Sequence, residues 1–326
     1  MSASDAHSLA DPFDCVAIGE TMAAFVATNE ASSYRSVPAG AESNVVVGMA
    51  LLGHRVAWVS RLGTDPLGRL IADEIASTGV VVEVTWDPAR PTGVMTKHPS
   101  ATGTQVGYYR RGSAASALAA ADRERVPESR LLHLTGITPA LSASAAALVE
   151  SLVAHRLPDG PAVSFDVNYR PALWSGPTAA VDHLLPIMHA ADIVFVGDDE
   201  AEELLGTSDP DRLRALLIRR NDQEFVLKQG AVGATRVTQA GAMFEPALTA
   251  VVVDVTGAGD AFAAGYLSGL CRGWEPRAQL RLGHLMGAGT VGVLDDVAPP
   301  PPAEALEAIS GASSVIDMST RVIGRG

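Results

Sequence analysis

Short runs of β-branched residues alternate with helix-periodic segments along most of the chain, and this alternation limits the folds open to it. Asp14–Ile18 reads as a first strand. Glu42–Leu52 reads as a helix stopped at Gly53, since glycine accepts the left-handed backbone that ends a helix. Arg55–Leu62 returns as a strand. The next helix is punctuated at both ends: Asp65 can cap it, Pro66 suits its first turn and Gly79 follows its last residues. Strands are then expected at Leu131–Thr135, Ala162–Asp166, Asp192–Val196 and Glu224–Lys228. Helices at Ala143–His155, Ala179–His189, Glu200–Leu205 and Asp211–Arg219 separate them. Such spacing builds βαβ units, and hence an α/β fold with a mostly parallel sheet, helices on both faces and right-handed crossovers.

Two stretches break the pattern. Thr21–Val37 and Gly93–Arg111 are rich in Thr, Val, Tyr and Ser and lack a helical period. They read as antiparallel strands inserted as a lid over one sheet edge, with ordinary surface hairpins as the alternative. Ala298–Ala303, with four consecutive prolines, reads as a stiff connector to a last helix near Glu304–Ile309. At 326 residues the chain allows one large domain or two smaller ones. The expected division is a disordered leader at 1–13, one α/β domain at 14–297 with its lid segments, and a connector, helix and tail at 298–326.

Charge and composition exclude several classes. With 24 Lys+Arg against 37 Asp+Glu, the net charge is -13, and no basic stripe offers itself to a nucleic-acid backbone. Small anions stay open to it, because a few local donors can dominate one cleft. No run approaches the roughly 18 apolar residues of a membrane span. The N-terminus has acids where a signal peptide carries basic residues. Cys15 and Cys271, the 2 cysteines, form neither a disulfide framework nor a zinc pattern, and a cytoplasmic location is expected.

The strongest local signal is Val251-Val252-Val253-Asp254-Val255-Thr256-Gly257-Ala258-Gly259-Asp260-Ala261-Phe262. It reads as an apolar strand running into a small-residue turn, with a helix starting there; Phe262, Tyr266, Leu267 and Leu270 share one face of that helix. Small residues let the backbone approach a ligand, and helix N-terminal amides attract phosphate. Asp260 is then either a helix cap or a base beside an anion hole. The spacing fails the Rossmann glycine fingerprint, and no Walker A sequence, Gly-x-Ser-x-Gly elbow or His-Glu-x-x-His occurs.

Taken with Gly40-Ala41-Glu42-Ser43-Asn44, Leu52-Gly53 and Gly63-Thr64-Asp65-Pro66-Leu67-Gly68, this signature resembles the PfkB/ribokinase family of carbohydrate kinases, over about 14–297. The resemblance implies a ribokinase-like three-layer α/β/α sandwich with a small β-strand lid. It also implies transfer of the ATP γ-phosphoryl group, with Mg2+, to a sugar hydroxyl. Gly19-Glu20-Thr21-Met22, Tyr108–Ser116, Leu134–Ser142 and Phe165–Trp174 further resemble 2-keto-3-deoxygluconate kinases within that family. Two guanidinium groups, Arg110 and Arg170, suit the carboxylate of such a substrate, since a planar fork binds a carboxylate through two hydrogen bonds.

On this resemblance Gly40, Asn44, Tyr108, Arg110 and Arg170 hold the sugar acid, and Asp260 takes the proton of the attacking hydroxyl. Gly257 shapes the turn, and the amides of Ala258, Gly259 and Asp260 stabilise the moving phosphoryl group. Asn168, Lys228 and Gly230, with Gly257 and Gly259, border the nucleotide, and Glu200 holds Mg2+ through water. A homodimer through the lid is expected. Three departures stand out: Gly197 replaces an Asn, Val255 replaces a common Thr and leaves a monovalent-cation requirement open, and Met95 stands where an aromatic is frequent. A fructokinase, ribokinase or nucleoside kinase is the alternative. A sugar-binding regulator without catalysis is disfavoured by the intact Gly257–Asp260 segment.

Overall fold

The structure, a computed structural model, describes residues 11–28, 33–100, 103–154 and 160–311. Its strands are β1 (Phe13–Ile18), β2 (Met22–Ala27), β3 (Tyr34–Ala39), β4 (Val56–Gly63), β5 (Val81–Asp87), β6 (Val94–Ser100) and β7 (Gly103–Tyr109). They continue as β8 (Ser129–Thr135), β9 (Ala162–Asp166), β10 (Ile193–Gly197), β11 (Glu224–Lys228), β12 (Gly233–Thr238) and β13 (Gly241–Pro246). The helices are α1 (Ala41–Leu51), α2 (Pro66–Ser77), α3 (Ile137–Ala140), α4 (Ala143–Ala154) and α5 (Pro177–Ala190). After them come α6 (Asp198–Leu205), α7 (Pro210–Leu217), α8 (Ala258–Cys271), α9 (Pro276–Val291) and α10 (Ala303–Gly311).

The main sheet runs β13-β12-β11-β10-β9-β8-β1-β4-β5. Strands β5 to β11 are parallel, and the β12–β13 hairpin adds an antiparallel edge. Because side chains alternate across a strand, each strand feeds two cores. Val16 and Ile18 of β1 join Val194 and Val196 of β10 in the core under α4, α5, α6 and α7. Cys15, Ala17, Ile193 and Phe195 face the opposite core, under α1, α2 and α8. Fully buried side chains such as Trp58 and Phe195 contribute roughly 1.5–3 kcal/mol each. Helices α8 and α9 pack closely because Gly265 has no side chain; a Cβ there would sit 2.5 Å from the Leu282 carbonyl oxygen.

The two interruptions form the lid, a separate sheet ordered β3-β2-β6-β7. Each contributes a hairpin, and β2 and β6 join the hairpins in parallel. Asp65 caps α2, accepting from the Gly68 amide at 2.8 Å, with Pro66 as its first residue. The chain runs β1-β4-β5 toward one edge, then returns to place β8 beside β1. A crevice opens outside the carboxyl ends of the strands at such a reversal, and the cleft described below lies there.

One expectation is corrected. Val251–Val255 forms no strand: the Val253 and Asp254 amides donate to the Val291 carbonyl at the end of α9, so the segment is tied to a helix end and not to a ladder. Val251 is 83% exposed, and Val252, Val253 and Val255 are exposed too. Strands β5, β12 and β13 and helix α9 were not among the elements expected. Residues 1–10 of the expected leader and 312–326 of the tail lie outside the described residues, and Phe13 already belongs to β1.

Candidate active site

The site is built on the N-terminus of α8. Gly257 precedes it with φ +78°, and a Cβ there would lie 2.3 Å from the Asp296 carbonyl oxygen, so only glycine fits the turn. The turn aims the first amides of a 14-residue helix into the cleft. The Ala258 amide is partly spent on the Val255 carbonyl at 3.3 Å. The Gly259 and Asp260 amides stand in the first turn, where a helix provides no acceptor of its own, at the positive end of the helix dipole.

Asp260 is held between two asparagines. Asn44 Nδ2, from the first turn of α1, donates to Oδ2 at 2.9 Å; Asn168 Nδ2, just beyond β9, donates to Oδ1 at 3.2 Å. Asn168 reaches this position with φ +39°, in the left-handed region. Burial pushes the Asp260 carboxyl up to about 7, with the Asp166 charge adding to it; the Asn44 hydrogen bond and the Arg170 and Lys228 charges oppose the rise. A carboxyl that is 9% exposed and titrates near neutrality suits a general base.

Lys228, at the end of β11, donates to Asp166 Oδ2 at 2.6 Å. Burial alone would lower its pKa, but the Asp166 and Glu200 charges outweigh it and hold the ammonium above its ordinary value. Its Nζ would lie 3.3 Å from a Cβ on Gly259, so the charge sits against the helix turn. Gly230, with φ +53°, continues the cleft wall beyond β11.

Two side chains have contacts their types did not reveal. Arg110 is buried and paired with Glu20 through Nε at 2.6 Å and Nη2 at 2.5 Å, while Ser113 Oγ donates to the other Glu20 oxygen. Its fork is therefore occupied from within the protein. Arg170 is exposed in the cleft, and its Nη1 donates to the Tyr169 carbonyl at 3.1 Å. Glu200 is likewise engaged: Oε1 accepts from the Tyr169 amide at 2.6 Å and Oε2 from the Gly197 amide at 2.7 Å. Such a carboxylate fastens the loop after β9 to the start of α6 and does not project freely toward a metal ion. Burial raises its pKa, as does Asp166, against the pull of Lys228.

All thirteen residues singled out from the sequence line one cleft of about 1030 Å³, including half-exposed Tyr108. That space accommodates a nucleotide and a small sugar together. Sequence reasoning missed Glu20, which engages Arg110, and Asp166, which engages Lys228. It also missed Asp198 and Asp199, which open α6 at the cleft wall. An acid at the carboxyl end of a predicted strand was the available signal for Asp166. No group of three or more His, Cys, Asp or Glu forms a metal cage among the described residues.

Comparison with known proteins identifies the family. Residues 13–302 match the model of the pfkB family carbohydrate kinases. The 2-dehydro-3-deoxygluconokinase of Bacillus subtilis (strain 168) is 36% identical over 286 residues, covering 84% of this chain and 88% of its own. That of Thermoproteus tenax is 35% identical, over 82% and 84% respectively. The crystal structure of a PfkB protein from Polaromonas sp. JS666 superposes with a TM-score of 0.77 at 33% identity, over 87% of this chain and 97% of that one. A glycine turn at a helix N-terminus, a buried acid beside it and a cleft under a lid thus occur in a chain similar to these relatives over most of its length: it belongs to the pfkB family of carbohydrate kinases and is an ATP-dependent sugar kinase.

Proposed function

We propose that this kinase phosphorylates a hydroxyl of 2-keto-3-deoxygluconate, or of a close keto-deoxy sugar acid, with Asp260 as base. The observation that carries the reading is Asp260 itself: a buried carboxyl titrating near 7, oriented by two asparagines, in the first turn of the helix that faces the cleft. The names of the two relatives at 36% and 35% identity support the substrate. Arg170 supports it too, as an exposed guanidinium in the cleft suited to a carboxylate.

As the sugar hydroxyl attacks the γ-phosphorus, its proton passes to Asp260, the new O–P bond forms and the bond to ADP breaks. The Gly259 and Asp260 amides face the charge that spreads over the transferred group. Lys228, fixed by Asp166, adds positive charge beside them. Asp198 and Asp199, on the cleft wall, would hold Mg2+ through water, and the ion would supply charge neutralisation at the phosphates. Gly40, Asn44 and Tyr108 would bind the sugar.

A neutral-sugar kinase is the second reading, because Glu20 already neutralises Arg110 and leaves one guanidinium where an acid sugar could use two. Measuring ADP release with 2-keto-3-deoxygluconate, fructose and ribose at equal concentration separates them. The acid sugar is expected to give the highest kcat/KM; equal or better turnover of fructose overturns the substrate. Asp260→Asn is expected to lower kcat by about 10²–10⁴-fold while sugar binding persists. Near-normal turnover would remove Asp260 as the base.

The same reading includes a homodimer through the lid. Strands β3 and β7 are the open edges of the lid sheet, and Tyr34 of β3 and Tyr109 of β7 are exposed. Light scattering at micromolar concentration is expected to give twice the monomer mass, and a monomer would end this part of the proposal.

A further inference from the structure

Lys97 is one of the largest fully buried side chains of the protein, 1% exposed, and the phosphoryl-transfer chemistry described above does not use it. It lies on lid strand β6, opposite Val26 and Val106, on the same face as Met95, which lines the cleft. Its ammonium leaves the lid and meets two carboxylates of the main domain, Asp296 Oδ1 at 2.5 Å and Asp254 Oδ2 at 3.3 Å. Both are nearly buried. A charge enters such surroundings only when paired.

These two aspartates bracket the phosphate-binding turn. Asp254 lies three residues before Gly257, and its other oxygen accepts from Thr256 N at 3.1 Å and Thr256 Oγ1 at 2.9 Å. The Asp296 backbone packs directly on Gly257, where a Cβ would strike it. One ammonium therefore ties together the chain entering the turn, the chain lying across it and the lid. Arg35 of lid strand β3 pairs with the adjacent Asp295, a second tie from lid to the same loop. Without the ammonium, two negative charges would face each other beside amides that must receive phosphate. Burial alone would raise the Asp254 carboxyl, yet Thr256 and Lys97 hold it below the ordinary range.

We propose that Lys97 is a positioning residue for phosphoryl transfer: its ammonium is a tethered cation that fixes the Gly257 turn and sets the lid against it. This rests on the kinase activity and not on which sugar is used. A free monovalent cation has no vacant role between these carboxylates, so native turnover is expected to be the same in potassium, sodium and choline salts of equal ionic strength.

The test compares Lys97→Met, Lys97→Ala and Lys97→Arg with the native enzyme in those salts, using the best substrate from the ADP-release assay. Lys97→Met is expected to lose about 10²-fold in kcat, as for a small displacement of the groups facing the transition state, with little change in KM for the sugar. Lys97→Arg should keep most of the rate. In Lys97→Ala, potassium or ammonium ions are expected to restore part of kcat and choline none. Native activation by potassium would overturn the proposal, as would a Lys97→Met enzyme with full kcat and only a lower Tm, or no ionic recovery in Lys97→Ala. If Lys97→Met does not fold, Lys97→Met with Asp296→Asn keeps the net charge of the native trio. That double variant is expected to fold and lose kcat, and full kcat in it would equally overturn the proposal. A substrate other than the acid sugar would leave every arm of this test intact.

Discussion

Asp260, the proposed base, is pushed up to about 7 by its surroundings, and its neighbours can each be changed separately. Burial raises it, and Asp166, whose own charge is committed to Lys228, raises it further. The base acts ionised, so kcat/KM is expected to rise with pH up to a limb near 7 and level off above it. Asp166→Asn removes a negative charge that disfavours ionisation, which moves that limb to lower pH. The Lys228 ammonium it releases can only push in the same direction. Profiles of kcat/KM against pH for both enzymes measure the displacement, and an unmoved limb would mean another group governs it. Asp260 and Asn44 were legible in the sequence because each sits in a short motif. Glu20 and Lys97 were not: Lys97 meets Asp296 across 199 residues and Arg110 meets Glu20 across 90, and no local spacing encodes a partner that distant.

At the scale of elements, the order of strands and helices from β8 to β11 was readable because each strand is a buried apolar run ended by a turn residue. The lid was readable by contrast, as a stretch without helical period. Strand β5 was missed because most of its residues are only partly buried, so Val81–Asp87 lacks a core-like run. The β12–β13 hairpin announces itself only through Gly233 and Gly241, the first residues of its two strands, with φ +153° and +149°. The Val251–Val255 error is the most instructive. A run of four valines in five residues is a strand if a ladder is free beside it, and here the segment meets the end of α9 instead. Val252 and Val255 then face the cleft, which turns a presumed core segment into an apolar wall of the binding site. Periodicity reports how apolar a segment is, and only topology decides what covers it.

For the whole molecule, two buried groups set opposite demands on acid stability. His133 lies at the centre of the sheet, its Nδ1 sharing a hydrogen bond with Ser164 Oγ at 2.6 Å. Burial lowers its pKa to about 4, with the Asp166 charge opposing and the Lys228 charge assisting. Between about 6.5 and 4 the unfolded chain therefore binds the extra proton, and His133 costs stability as pH falls through that window, roughly 3 kcal/mol in all. Asp260 works the other way. Its folded pKa of about 7 exceeds the ordinary value of 3.8, so the native state binds the extra proton and stability falls as pH rises through that window. The two effects oppose each other across nearly the same range, and Asp260 masks the acid lability of the sheet centre. Asp260→Asn should remove the mask. Its unfolding free energy, relative to native enzyme, is expected to grow by up to about 4 kcal/mol between pH 4 and 8, leaving a variant that is more stable near neutrality and loses more stability on acidification. Urea denaturation of both proteins across that range measures the difference. A gap that stays constant with pH would show that Asp260 carries no raised pKa in the folded state, and the base would then need its proton affinity from the bound nucleotide.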